Sequence, residues 1–322
     1  MRRILVVLCF IFVTVTGIFC AGKKDSSAEN NPALKVAALT GTSGVGMAYL
    51  IENPPELSAE ISFEIVISVD VLLPKLLNRD IDIGILPPNV AAKVYNLNKN
   101  SITAGAVTGN SMLSLITRDT GISSLSDLAG KTVVIAGQGA TPEYVFRTLL
   151  QQENLSDKVK LDFSIPNPEI AAALLSGRIS YAVVPEPFAT VAVSADPSVR
   201  RAIVLRDYWQ RDGFGDDFPM TLCVIRSEYA EKHPETVRQF LEAYQDSIQW
   251  TIAHPAEAGR LAEAKGLGLK AEIAAKAIPD CNFVFIPAFE ARTSIEQLLS
   301  VFLEYAPESI GSVLPDEKFY FK

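Results

Sequence analysis

From Leu34 onward, short apolar runs alternate with amphipathic stretches of helical spacing. Leu34–Leu39 (LKVAAL) reads as a strand running into Thr40-Gly41-Thr42-Ser43-Gly44, and Val45–Glu52 as a helix. Ile61–Ile67 (ISFEIVI) alternates apolar and polar positions, the period-two signature of a strand. Val69–Leu77 is amphipathic, Ile81–Leu86 (IDIGIL) predicts a third strand stopped by Pro87-Pro88-Asn89, and Val90–Tyr95 opens another helix. Strands and helices in this order predict an α/β layer with a mostly parallel sheet.

The order then starts again. Ser111–Thr117 predicts a strand, Ser124–Gly130 a short capped helix and turn, and Lys131–Ala136 a strand ending at Gly137-Gln138-Gly139-Ala140. Glu143–Gln152 follows as a helix, with Thr141 placed to cap it and Pro142 favoured in its first turn. Lys160–Ser164 is a strand, Asn167–Leu175 a helix, and Tyr181–Val184 a strand halted by Pro185-Glu186-Pro187-Phe188. Leu76–Pro88 (LLNRDIDIGILPP) and Leu174–Pro187 (LLSGRISYAVVPEP) are visibly alike, so two similar α/β lobes are expected. Met220–Arg226 predicts a further strand. The long amphipathic stretch His233–His254, then Ala256–Lys265, Lys270–Ala277 and Phe289–Tyr305, predict a helical C-terminal third.

The first twenty residues have a different pattern. Arg2 and Arg3 precede the apolar run Ile4–Phe19, then Cys20 and the polar tether Ala21–Asn31. A positive end ahead of a short apolar segment is a secretory signal, and the run falls below the ~20 residues a bilayer-spanning helix needs. Gly17-Ile18-Phe19-Cys20 resembles the lipobox of bacterial lipoproteins, in which the cysteine is lipidated and becomes the mature N-terminus. Phe19 departs from that pattern, which has a small residue before the cysteine, so ordinary cleavage and secretion is the alternative. Either way, the chain is expected outside the cytoplasm.

Composition narrows the function classes. The chain has 322 residues, 48% of them hydrophobic, enough for two modest lobes, and a net charge of −8. An acidic body without a Lys/Arg cluster argues against nucleic acid, whose phosphates demand basic residues. No His/Cys/Asp cluster has metal-ligand spacing, and no nucleophile elbow, P-loop or dinucleotide glycine pattern occurs. No cofactor or metal is therefore expected. His233 and His254 each precede a proline and read as helix starts. Cys223 and Cys281 are either bridged, which an exported protein permits, or two buried thiols.

In α/β sheets ligands gather beyond the carboxyl ends of strands. The candidate contacts are therefore Gly41, Thr42 and Ser43 after the first strand, Pro88 and Asn89 after the third, and Asn110 just before the second series begins. Gln138, Gly139, Thr141 and Glu143 follow a strand of the second series, Glu186 and Phe188 lie in its proline turn, and Phe218 precedes the last strand. Tight turns and strand termination explain any one loop equally well; their repetition in two halves favours one shared cleft. These loops contain no Lys or Arg. Anion sites usually include Arg for bidentate pairing. The loops therefore suit a neutral or cationic solute rich in N–H donors, with Glu186 accepting and Phe188 or Phe218 covering a flat face.

Four segments carry a family resemblance: LLNRDIDIGILPPNVAAKVYN (Leu76–Asn96), GQGATPEYVFRTLL (Gly137–Leu150), ALLSGRISYAVVPEPFA (Ala173–Ala189) and VIRSEYAEKHPETVRQFLEAY (Val224–Tyr244). From Lys35 almost to its end, the chain resembles the periplasmic solute-binding proteins of ABC importers, in the branch of nitrate, sulfonate, taurine and thiamine-precursor receptors. The resemblance implies a two-lobed type II periplasmic-binding fold with the solute between the lobes. One lobe would hold residues 32–110 and 219–322 and the other 111–218, with crossings near Gly109–Ser111 and Phe218–Thr221. It also implies delivery of the solute to a membrane permease with its ATPase, by a monomeric receptor tethered through a lipid anchor. A thiamine precursor or related heterocycle is the expected solute, and a sulfonate or nitrate anion the alternative. The rivals are an enzyme or a ligand sensor on the same fold, because fold does not settle function.

Overall fold

The computed structural model describes residues 33–98 and 101–322; the leader, Cys20 and the tether lie outside the described residues. The first four strands are β1 (Leu34–Leu39), β2 (Ile61–Val66), β3 (Ile83–Leu86) and β4 (Ile102–Asn110). The chain then builds β5 (Leu113–Thr117), β6 (Thr132–Ile135), β7 (Lys160–Asp162), β8 (Tyr181–Pro185) and β9 (Arg200–Val204). It returns with β10 (Pro219–Arg226) and β11 (Phe283–Pro287). Among the described residues these form a six-stranded sheet, β11-β4-β10-β3-β1-β2, and a five-stranded sheet, β7-β6-β8-β5-β9. Helices flank both sheets.

The sheets are mixed rather than mostly parallel. β1 runs parallel to β2 and β3, and β6 to β7 and β8, as alternating strands and helices require. The strands next to the passage between sheets reverse this: β10 is antiparallel to β3 and β4, and β5 to β8 and β9. A chain that leaves one sheet through β4 and comes back through β10 must run those two strands in opposite directions.

The resemblance between Leu76–Pro88 and Leu174–Pro187 is structural. The helix Val69–Leu77 ends with Arg79 N–H on the Leu76 carbonyl, while the amides of Asp80 and Ile81 both reach the Lys75 carbonyl. The helix Asn167–Leu175 ends the same way, with Gly177 on Leu174 and both Arg178 and Ile179 on Ala173. Arg79 (φ 67°) and Gly177 (φ 75°) occupy the same left-handed position of the two turns. Such a position costs a residue with a Cβ about 1–2 kcal/mol and glycine almost nothing.

β4 has no counterpart among the expected strands. Its sequence ITAGAVTGN shows no alternation because every residue in it is buried. Its glycines are packing requirements: a Cβ on Gly105 would come within 2.6 Å of Ile225 Cδ1. The expected helix Val45–Glu52 is two short helices, Thr42–Val45 and Ala48–Glu52, and Gly44 lies so close to the Leu39 carbonyl that a Cβ would collide with it. The helices Phe188–Ala195 and Leu205–Arg211, together with β9 and β11, also went unforeseen. His233 and His254 do sit at the starts of the helices Pro234–Ala253 and Pro255–Ala264. Cys223 and Cys281 are both free and buried, and burial raises both thiol pKa values.

Candidate functional site

Sheet register brings the candidate loops to facing edges. In the first sheet β1 and β3 are parallel, so the loops after them emerge at one edge. β10 runs against β3, with Leu222 opposite Leu86, and Pro219 opposite Asn110 at the end of β4, so the passage between sheets starts at that same edge. In the second sheet β6 and β8 end at one edge, where Leu113, opening β5, pairs with Pro185. Only Ser111 and Met112 separate β4 from β5, so the two edges abut.

Met112 joins three of the candidate segments. Thr42 Oγ1 donates to its sulfur at 3.8 Å, and the Glu186 amide donates to its carbonyl at 3.0 Å. Asn110 lies two residues before it. Gly41 (φ 93°) and Gly139 (φ 74°) have open space where a side chain would stand. Asn89 lies in the first turn of the helix Pro88–Leu97, where it is buried and its Oδ1 has no hydrogen-bond partner. A buried acceptor without a partner is costly, so this oxygen is the clearest polar group awaiting a donor.

Other expected roles change. Glu186 is no free acceptor: its side chain is 2% exposed, and Oε1 accepts from Arg201 Nε (3.0 Å) and Nη2 (2.7 Å). Its Oε2 accepts the Thr190 amide at 3.1 Å. Glu143 accepts from Arg147 Nε (2.7 Å) and from the Gly139 amide (2.8 Å). The loops lack basic residues, but Arg201 from β9 and Arg147 from the helix Thr141–Gln152 neutralise both glutamates. Phe218 covers no ligand face; it is fully buried and packs on Trp209, ring centroids 5.0 Å apart. Phe188 is half-buried at the start of its helix, packed against the apolar cluster of the second sheet. Thr141 is the first helical residue rather than the cap, which is Ala140.

Sequence reading also missed a knot at the passage between sheets. The Asp217 carboxylate accepts from the amides of Ser111 (3.1 Å) and Phe218 (2.8 Å) and from Asn282 Nδ2 (2.7 Å). Asn282 Nδ2 donates as well to the Ser111 carbonyl at 3.0 Å, and its own carbonyl takes the Asn110 amide. Both crossings and the start of β11 are thereby tied at one point. Burial raises the Asp217 pKa, against the opposing pull of these donors. Beside the knot lies a cavity of about 150 Å³ lined by Ser111, Met112, Arg201, Arg206, Asp280 and Asn282, and the buried Ser111 Oγ has no partner. An Asp-Asn pair separated by 65 positions leaves no local signal in a sequence.

Among the described residues no group of three or more His, Cys, Asp or Glu side chains could hold a metal, and no helix is long and apolar enough to cross a membrane. The family model described as NMT1/THI5 like matches residues 78–258. Among solved structures, an ABC transporter from Parabacteroides distasonis is similar, with 26% identity over 90% of this chain and 99% of that one and a TM-score of 0.78. The periplasmic aliphatic sulphonate-binding protein SsuA from Escherichia coli shares the fold at 17% identity, covering 87% of this chain and 90% of its own, with a TM-score of 0.68. So does the ligand-binding component of an ABC-type import system from Staphylococcus aureus, at 13% identity, 89% and 98% coverage and a TM-score of 0.66. A search of curated proteins finds no match.

Proposed function

The chain belongs to the NMT1/THI5-like family, and from that premise we propose that it is the extracytoplasmic solute-binding receptor of an ABC importer. Its lobes are residues 32–110 with 219–322, and residues 111–218, hinged at the two crossings tied by Asp217. Its work is binding: the solute contacts both lobes, stabilises their closure, and is passed to a membrane permease coupled to an ATPase. The similarity to an ABC transporter over nearly the whole chain supports this reading. Export by the leader, with Cys20 as lipid anchor, places the receptor at the outer face of the membrane.

The solute is a small, uncharged, nitrogen-containing organic molecule of thiamine-precursor or related heterocyclic type. The observation that carries this choice is the pairing of cancelled charge with an unpartnered acceptor. Both glutamates of the strand-end loops are held by arginines, while Asn89 Oδ1 is buried without a donor. Neutralised loops favour a neutral molecule over a cation, and an unpartnered buried acceptor favours one bearing N–H or O–H. In this arrangement Glu186 shapes the turn rather than receiving the solute.

A sulfonate or nitrate is the second reading, favoured by Arg201 and Arg206 at the small cavity. A thermal-shift screen across pyrimidines, thiamine precursors, flavins, sulfonates, nitrate and amines separates the two. A binder at 100 times its Kd adds about 2.7 kcal/mol to stability. Asn89→Leu is expected to weaken a heterocycle roughly ten-fold and to leave an anion unaffected. Tight anion binding lost in Arg206→Ala but kept in Asn89→Leu overturns the first reading.

A further inference from the structure

Arg201 does more than neutralise Glu186. Its Nη2 contacts Glu186 Oε1 at 2.7 Å, Thr190 Oγ1 at 2.6 Å and Asp280 Oδ2 at 3.0 Å. Glu186 and Thr190 belong to the turn after β8 and the helix that follows it. Asp280 belongs to the other lobe, in the 3-10 turn Ile278–Asp280 that leads into β11. One guanidinium therefore spans the boundary between lobes, at the mouth of the strand-end loops.

We infer that Arg201 is a positioning residue that couples the Glu186 turn to lobe closure, with its bond to Asp280 as the breakable half of a latch. The two halves differ in solvent access. The Glu186 side chain is 2% exposed, so its pair with Arg201 is shielded and stays formed. The Asp280 side chain is 48% exposed, so that pair lies in high dielectric and is weak and screened by salt. The inner pair and Thr190 fix the guanidinium, so Asp280 meets a pre-placed donor and little side-chain entropy is lost on closing. The helices Phe188–Ala195 and Ala271–Ala277, which flank the two partners, also meet across the boundary. A shift of the Glu186 turn moves the donor and so changes how strongly the far lobe is held. This inference rests on the two-lobed receptor reading but not on the identity of the solute.

The test uses the solute-free protein with spin labels at Ser194 and Lys276, exposed positions on those two helices. Pulsed EPR then reads the distribution of distances between them. Asp280→Asn is expected to raise the share of the longer distance roughly two- to five-fold, and about 1 M salt to do the same to wild type. Salt should then add little to Asp280→Asn, Asp280→Glu should restore the wild-type distribution, and Tm should stay close to that of wild type. An unchanged distribution in Asp280→Asn overturns the latch. So does a full salt response retained in that variant, or a shift that merely follows a fall in Tm. A solute screen that fails leaves this result untouched, so failure of the latch and failure of the receptor reading are told apart.

Discussion

Removing Arg201 while leaving Glu186 in place should be the most damaging single change near the cleft. In Arg201→Met the carboxylate loses two charge-assisted hydrogen bonds of 3.0 and 2.7 Å and keeps the Thr190 amide as its protein donor. Breaking a buried pair by deleting one partner costs about 3–5 kcal/mol. The Arg201 side chain is 23% exposed, so water can reach the vacated site, and the lower figure of ~3 kcal/mol applies. That is a large share of the ~5–15 kcal/mol by which domains are stable. The double variant Glu186→Gln/Arg201→Met removes the stranded charge and keeps an acceptor for Thr190, so it should cost only ~1 kcal/mol. In the Arg201→Met background the second substitution thus recovers ~2 kcal/mol. Urea unfolding followed by fluorescence measures this: at a slope near 3 kcal/mol/M, the single variant loses ~1 M of midpoint and the double variant recovers most of it. Equal destabilisation of the two, or a single-variant cost below ~1 kcal/mol, refutes the reasoning. It would return Glu186 to the cleft as a free acceptor for solute.

Three further outcomes are expected. Gly177→Ala should cost about 1 kcal/mol through its positive φ alone, since nothing stands within 4 Å of the added Cβ; a neutral result in thermal unfolding would contradict the shared-turn argument. Burial raises the Asp217 pKa, so the native state holds that proton more tightly than the unfolded chain, and the group's contribution to stability falls as pH rises from the ordinary carboxylate value through the raised one. Asp127 is held at about 2 chiefly by the amide of Ser123 and both the hydroxyl and the amide of Ser124, so its contribution is present above the ordinary value and lost as pH falls toward 2; unfolding of Asp217→Asn and Asp127→Asn across the acid range should show opposite slopes relative to wild type. Cells fed a tagged fatty acid should label the wild-type protein and not Cys20→Ser, and equal labelling of the two would mean that Phe19 prevents lipidation.

Fold was legible where an apolar run or a helical period stood between sharp turns. Leu34–Leu39, Val69–Leu77 and Asn167–Leu175 have the bounds that their sequence indicates, the first as a short, largely apolar run and the two helices by apolar positions at helical spacing. β4 was invisible because burial on every side erases alternation, and its glycines and alanines, chosen for close packing, mimic a loop. β9 (RRAIV) opens with two arginines that suggest a solvated segment. Arg200 instead reaches the Asp119 carbonyl and Arg201 reaches Glu186. Long charged side chains that cross a sheet edge to a partner look, in sequence, like exposed ones.

The shared edge of the strand-end loops was legible in the sequence, and their charge pairing was not. Strand-end loops can be named from order alone, because parallel strands joined by helices must open their carboxyl ends to the same side. The electrostatics of the cleft are set by residues outside those loops. Arg201 is 15 positions from Glu186 and comes from an antiparallel edge strand that the alternating pattern did not announce. Ionic residues counted within the loops alone leave Glu186 a free acceptor and Glu143 without a counter-ion, where the structure holds both in ion pairs. On the proposed reading, the ligand is selected by the polarity left once every ion pair has been closed. On that residue-by-residue account, the unpartnered Asn89 Oδ1 and Ser111 Oγ outweigh both glutamates, because an ion pair already satisfied has little to gain from a solute and a buried orphan has a full hydrogen bond to gain.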